Sequence, residues 1–223
     1  MRQFLFAIAV LTVLAGIASA DTLHFPFYIQ GYGYSSQITI TNMSEVATSV
    51  QASAYDMGGT RVADSNLVVG GNDTLTTFVN ELVQALPSVG RLEISSSANL
   101  SAVVTIVSPV GGFALYPGRG PATTHANLDL FEANNSFDTV LAFSNSSSQA
   151  GTMAITAHVG GVTLTLTRSI PAQGVVADLA SSMFPIQGLG ALRIEADVPI
   201  HATGILVQRT NSSFVTTVTG RSE

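Results

Sequence analysis

Four histidines, fourteen acids and no cysteine are the material for metal or acid–base chemistry in this chain of 223 residues. His24, His125, His158 and His201 stand singly. No two share the close spacing that sets a pair of imidazoles on one helix face or hairpin, and no thiol can complete a zinc set. His158 falls on the polar side of an alternating segment, which reads as a solvated ring. Asp178 and Ser181 could be joined with His201 as a triad, but a nucleophilic serine needs a strained elbow and no Gly-x-Ser-x-Gly occurs. Glu195 and Asp197 project from one strand face, too local to flank a sugar ring from both sides, and Asp129/Glu132 read as surface charge. Calcium held by loop carbonyls stays open, since such ligands leave no mark in a sequence. No catalytic residue, resident metal or cofactor is expected.

Aromatic chemistry is the more promising kind. Phe25, Phe27, Tyr28, Tyr32 and Tyr34 crowd one short stretch. Aromatic faces stack on sugar rings, and tyrosine adds a hydroxyl at small entropic cost, so Tyr28, Tyr32 and Tyr34 are candidate contacts for a glycan or a protein. The competing reading puts the phenylalanines in a core and the tyrosines over a sheet edge. The chain has no tryptophan, which counts against a dedicated carbohydrate-binding module.

The elements that must position these residues are strands. Val162-Thr163-Leu164-Thr165-Leu166-Thr167 alternates with a period of two, as does Thr152 to Val159. Ile38 and Ile40, then Val50, Ala52 and Ala54, then Leu92 and Ile94 answer in the first part of the chain. These are half-buried antiparallel strands, separated by Gly-Gly and Pro-x-x-Gly turns. Gly90, Leu92, Ile94 and Ala102 recur as Gly190, Leu192, Ile194 and Ala202 at a constant offset, which marks a tandem repeat. Phe78, Leu82 and Leu86 lie at helical spacing, and Val175 to Phe184 holds the equivalent place with Asp178 as a cap, so each repeat carries one helical turn. The pattern predicts an all-β chain of two tandem immunoglobulin-like antiparallel β-sandwiches, each crossed at one end by that turn. The expected boundaries are 21–118 and 126–223 with a linker over 119–125, and so short a linker suggests sandwiches set end to end.

Arg2, the apolar run Phe4 to Ile17 and Ala18-Ser19-Ala20 read as an export signal over residues 1–20, cleaved between Ala20 and Asp21. The run is shorter than the ~20 residues of a spanning helix, so no transmembrane anchor is expected in the mature chain. Export without cysteine favours a bacterial source. The eight basic residues are all arginine, stand singly and are outnumbered by the acids for a net charge of −6, which disfavours nucleic acid as a partner.

The segments FPFYIQGYGYSSQITITN and SPVGGFALYPGRGPA, followed by VLAFSN, IPAQGVVADLASSMFP, GLGALRIEADVPIHATGIL and FVTTVTG, resemble a family of secreted bacterial proteins best represented in acidobacterial genomes. Coverage is nearly the whole mature chain. Phe27 stands where that family frequently has His, and tyrosines interrupt its Gly run. The resemblance implies immunoglobulin-like sandwiches outside the cytoplasm, secreted, periplasmic or at the cell surface, and supplies no catalytic residues. In that setting the sequons at Asn42, Asn72, Asn99, Asn134, Asn145 and Asn211 reflect composition. The expected function is a non-catalytic exported module for surface structure, adhesion or assembly, with a cell-surface or extracellular protein or glycan as partner. A glycan-binding protein is the first alternative and a hydrolase the remote one.

Overall fold

The computed structural model describes residues 22–31, 33–84, 86–110, 112–210, 213–219 and 221–222. The expected signal, with its cleavage site Ala20/Asp21, lies outside them, as does Tyr32. The chain is all-β with antiparallel sheets, consistent with a β-sandwich. In the first half run β1 (Thr22–Ile29), β2 (Ser35–Asn42), β3 (Thr48–Asp56), β4 (Arg61–Val69), β5 (Thr74–Phe78), α1 (Val79–Leu82), β6 (Val89–Ser96), β7 (Leu100–Val107) and β8 (Phe113–Pro117). The second half has β9 (Thr123–Ala133), β10 (Phe137–Asn145), β11 (Gly151–Val159), β12 (Val162–Ile170), β13 (Val175–Leu179), α2 (Ala180–Met183), β14 (Gly188–Gln208), β15 (Ser213–Thr219) and β16 (Arg221–Ser222). Among the described residues no helix is long and apolar enough to cross a membrane.

Strand order repeats with the sequence. The first half forms one sheet in the order β1-β6-β3-β4 and another in the order β5-β2-β7-β8. In the second half, β9, the N-terminal part of β14, β11 and β12 follow the first order, while β13, β10, the C-terminal part of β14 and β15 follow the second. A turn around Ser97 separates β6 from β7, whereas β14 crosses between the two orders without a break. The crossing falls at Pro199, which has no N–H for a ladder bond, and the pairing with β9 shifts register between Glu195 and Ile200. The repeated glycines have one steric cause. A Cβ on Gly90 would lie 2.1 Å from the Tyr55 carbonyl oxygen and 2.8 Å from the Tyr28 hydroxyl, and one on Gly190 would lie 2.4 Å from the His158 carbonyl oxygen and 2.8 Å from the Phe131 ring. In each copy an aromatic from the neighbouring strand lies across the bare backbone.

A second device recurs at the start of the β2–β3 and β10–β11 loops. Asn42 and Asn145 are both buried. The Asn42 amide donates to the carbonyls of Val46 (2.8 Å), Val69 (3.2 Å) and Gly70 (3.0 Å), and its oxygen accepts from the Ser44 N–H (3.0 Å) and hydroxyl (2.6 Å). Asn145 likewise donates to Gln149 (2.6 Å) and Pro171 (3.0 Å) and accepts from both groups of Ser147 (2.8 Å each). These two Asn-x-Ser triplets are therefore loop clamps, and composition does not account for them.

The halves lie side by side rather than end to end. On β10, Leu141 and Phe143 face the second core while Ala142 and the half-buried Val140 join the first. On β14, Ile200 and Ala202 face the second core while Ile205 and Val207 join the first. The middle of this sheet is apolar on both faces, and β1 covers the face that the second core does not use. Further contacts tie the seam: the Val175 N–H donates to the Met57 carbonyl (3.0 Å), and the Thr217 hydroxyl donates to the Leu115 carbonyl. The expected linker is short in fact, because Arg119 exchanges backbone bonds with His24 (2.8 and 2.9 Å) and β9 already includes Thr123 to His125.

Each expected helical turn is present as a single turn. Leu179, not Asp178, occupies the N-cap position of α2, and the Asp178 carboxylate accepts from the Leu179 N–H (2.8 Å).

Candidate functional site

Tyr28 belongs to the core. It is fully buried on β1 beside Gly90, its hydroxyl has no hydrogen-bond partner, and burial, with the Asp56 charge, raises its ionisation well above the usual tyrosine range. Phe25 and Phe27 are buried with it. Tyr34 is only half-buried and packs at the margin of the first core, its backbone bridging Gly31 in both directions (3.0 and 2.9 Å).

Tyr34 lines a cleft of about 620 Å³ at the seam. Phe27 and Ile29 of β1 form one apolar wall, and Val140, Ile205 and Val207 form the floor. Pairing of Val140 with Ile205 and of Asp138 with Val207 across β10 and β14 brings the floor residues and Asp138 onto one face. Leu179, Ser181 and Ser182 from the β13–α2 corner, with Gln208 and Arg209 at the end of β14, form the opposite wall.

That wall is held by a buried carboxylate. Asp138 is 0 % exposed. One oxygen accepts from the Thr139 N–H (2.9 Å) and the Ser181 N–H (3.2 Å), and the other from the Ser181 hydroxyl and the Arg209 guanidinium. Arg209 also donates to the Ser181 hydroxyl, and its side chain remains 39 % exposed. A buried charge is tolerated only when paired and hydrogen-bonded, and Asp138 meets both conditions. The sequence gives no hint of this trio, because its members are separated along the chain and only the β10–β14 register and the α2 turn bring them together.

A second polar cluster fills the middle of the seam. Arg91, 1 % exposed, pairs with Glu93 (2.5 Å), lies 3.7 Å over the Tyr55 ring and donates to the Gln173 carbonyl (2.5 Å) and side-chain oxygen. Gln173 in turn donates to the Ser146 carbonyl (2.7 Å), and the Tyr55 hydroxyl donates to Glu93 (3.0 Å). His24 lies 3.1 Å from Glu93 and stacks on His201 with ring centroids 4.7 Å apart. Burial pulls the Glu93 carboxyl up, but the His24 contact and the charge and hydrogen bond of Arg91 outweigh it and hold it at about 2. His201 is 5 % exposed. Its desolvation, reinforced by His24, Arg119 and Arg91 and only partly opposed by Glu93, pushes it down to about 3. The imidazole is therefore neutral at ordinary pH.

The remaining candidates disperse. Ser181 is engaged with Asp138 and Arg209, Asp178 with its own chain, and His201 with His24. Glu195 pairs with Arg193 at the surface (2.9 Å), Asp197 accepts from the Thr152 N–H (2.7 Å), and Glu132 accepts from the Asn134 amide (2.5 Å). His125 and His158 are exposed and lie 3.0 and 3.1 Å from threonine hydroxyls. Among the described residues, no three His, Asp or Glu side chains converge as metal ligands.

No family model and no curated protein matches the chain. Among solved structures, a β-glucuronidase of Bacteroides uniformis is similar at 9% identity, over 87% of this chain and 25% of that one, with a TM-score of 0.20. The chain thus spans about a quarter of that enzyme's length. A lectin of Pleurotus ostreatus, solved in complex with GalNAc, is similar at 10% identity, over 89% of this chain and 75% of that one, with a TM-score of 0.19. Scores of this size lie far below those of a shared fold, and neither likeness bears on what this chain does.

Proposed function

We propose that the chain is an exported, non-catalytic bacterial module of two tandem immunoglobulin-like sandwiches, of the acidobacterial type it resembles, serving cell-surface structure, adhesion or assembly. One observation carries the reading: the strongly bonded polar side chains are spent on holding the molecule together. Asn42 and Asn145 clamp loops, Arg91 and Gln173 lock the seam, and Asp138 fixes a wall. Export follows from the N-terminal pattern that ends at Ala20. The partner is a cell-surface or extracellular protein or glycan.

The test is fractionation of the native host followed by N-terminal sequencing, envelope pull-down and a hydrolase screen. The reading expects a chain starting at Asp21 outside the cytoplasm, retained by envelope material and without turnover. A chain retaining Met1 in the cytosol, or turnover of any substrate, overturns it. The glycan-binding alternative gains support from one feature: Tyr34, a candidate from sequence, lines the seam cleft.

A further inference from the structure

We infer that the seam cleft binds a neutral sugar unit, its ring against Tyr34 and the apolar floor, its hydroxyls toward Arg209, Ser182 and Gln208. The inference rests on the glycan-contact reading and names the site and ligand class within it. Two observations select this chemistry. First, a volume of about 620 Å³ suits a small ligand of one to a few rings. Second, the lining is divided: Ile29, Val140 and Val207 are half-buried apolar side chains on one side, while Ser182, Gln208 and Arg209 stand on the other. A pyranose has the same division, with a C–H face that lies on aromatic and aliphatic surface and an edge of hydroxyls that needs donors and acceptors.

Charge decides between neutral and acidic sugars. Among the described residues Arg209 is the cation that lines this cleft, and the Asp138 carboxylate beneath it already balances its charge. An incoming carboxylate would compete with a fully buried anion that also holds two backbone N–H groups. Hydroxyl oxygens carry no such penalty and can accept from a guanidinium held in place. The net charge of −6 disfavours polyanionic ligands further.

The experiment titrates the full chain with xylotriose, cellotriose, galactotriose and trigalacturonate, read by calorimetry and by ¹⁵N chemical-shift changes. Two variants accompany it: Tyr34→Ala removes the ring, and Ser182→Trp sets an indole into the cleft from an exposed position on its wall. The expected result is binding of at least one neutral trimer in preference to trigalacturonate, with shifts at Val140, Val207 and Arg209. Both variants should weaken it about ten-fold or more, with the Ser182→Trp melt unchanged. Preference for trigalacturonate overturns the ligand class. Binding of a neutral trimer or of envelope polysaccharide that Ser182→Trp leaves intact overturns the site while the glycan reading survives. Failure of the full chain to bind any trimer or envelope polysaccharide sinks both.

Discussion

Acidification from pH 7.5 to 4.5 should weaken the fold through one residue, His201. In the folded chain its imidazole titrates at about 3 because it is desolvated between the halves and faces His24, Arg119 and Arg91. In the unfolded chain an ordinary histidine titrates near ~6.5. Above 6.5 both states hold the ring neutral and it contributes no pH dependence. Between 6.5 and 3 the unfolded state binds a proton that the folded state refuses, so stability falls as pH falls, by ~1.36 kcal/mol per unit. Two units below 6.5 the loss reaches about 2.7 kcal/mol, and because pH 4.5 lies well above the folded value, that figure hardly depends on where below 4 the native ring titrates. Glu93 acts in a different window. Held at about 2 against an ordinary 4.5, its carboxylate contributes stability that is complete above 4.5 and lost as pH falls toward 2, so work at or above pH 4.5 separates the two. The assay is urea unfolding at half-unit pH steps, for the parent chain and for His201→Phe, which keeps a ring at the stack and cannot titrate. Subtracting one profile from the other removes every other group. The difference should steepen to about 1.4 kcal/mol per unit below pH 6. Parallel profiles, with the variant as acid-sensitive as the parent, would refute the burial argument for His201.

Asn42→Ala and Asn145→Ala should each cost about 2–4 kcal/mol in chemical unfolding, because each removes at least four hydrogen bonds that a buried amide makes to its loop; a loss under 0.5 kcal/mol would show the clamps to be ornamental. Gln173→Ala should cost about 1–3 kcal/mol more than Asn72→Ala, since both residues share a left-handed backbone (φ 58 and 52) and only Gln173 receives Arg91. Equal losses would mean that the seam bond contributes nothing. Expressed alone, residues 126–223 should bind a hydrophobic dye and melt well below the full chain, because Val140, Ala142, Ile205 and Val207 lose their cover. An unchanged melt would show that the seam is not part of the second half's stability.

Period-two alternation made the strands legible, because a strand with one wet face repeats every second residue whatever its neighbours are. Val162 to Thr167 forms half of a hairpin whose register pairs Thr156 with Thr165 and Ala157 with Leu164. The same logic failed on β10. Val140-Leu141-Ala142-Phe143 is apolar without a break, a pattern that a strand covered on both faces shares with other buried segments, and sequence could not name the covering layer. The aromatic cluster was legible as a cluster but not residue by residue. Side chains alternate along β1, yet the register irregularity between Phe25 and Tyr28 upsets that alternation and leaves Phe27 and Tyr28 both buried. The Asp138–Ser181–Arg209 wall left no signal, since nothing in the spacing of an Asp, a Ser and an Arg foretells a shared hydrogen bond.

The repeat itself carries information that neither copy holds alone. Where the copies agree, the residue serves the strand frame: Gly90 and Gly190 admit an aromatic, Leu92 and Leu192 fill a core, Asn42 and Asn145 clamp a loop. At four matched positions where they differ, one copy's residue belongs to the seam. Arg91 stands against Ala191, Glu93 against Arg193, His201 against Ser101, and Gln173 holds the turn position of Asn72. Arg91, Glu93, His201 and Gln173 all meet in one buried cluster, while Arg193 and Asn72 are exposed. A surface that two copies must share cannot be made of the same residues twice, because each copy presents a different face to it. Gln173 shows the cost of that divergence. A glutamine at φ 58 is strained where glycine or asparagine would not be, and its side chain is what Arg91 and the Ser146 carbonyl require. At these four positions the departure from internal symmetry coincides with a contact that alternation, charge and motif searches all pass over.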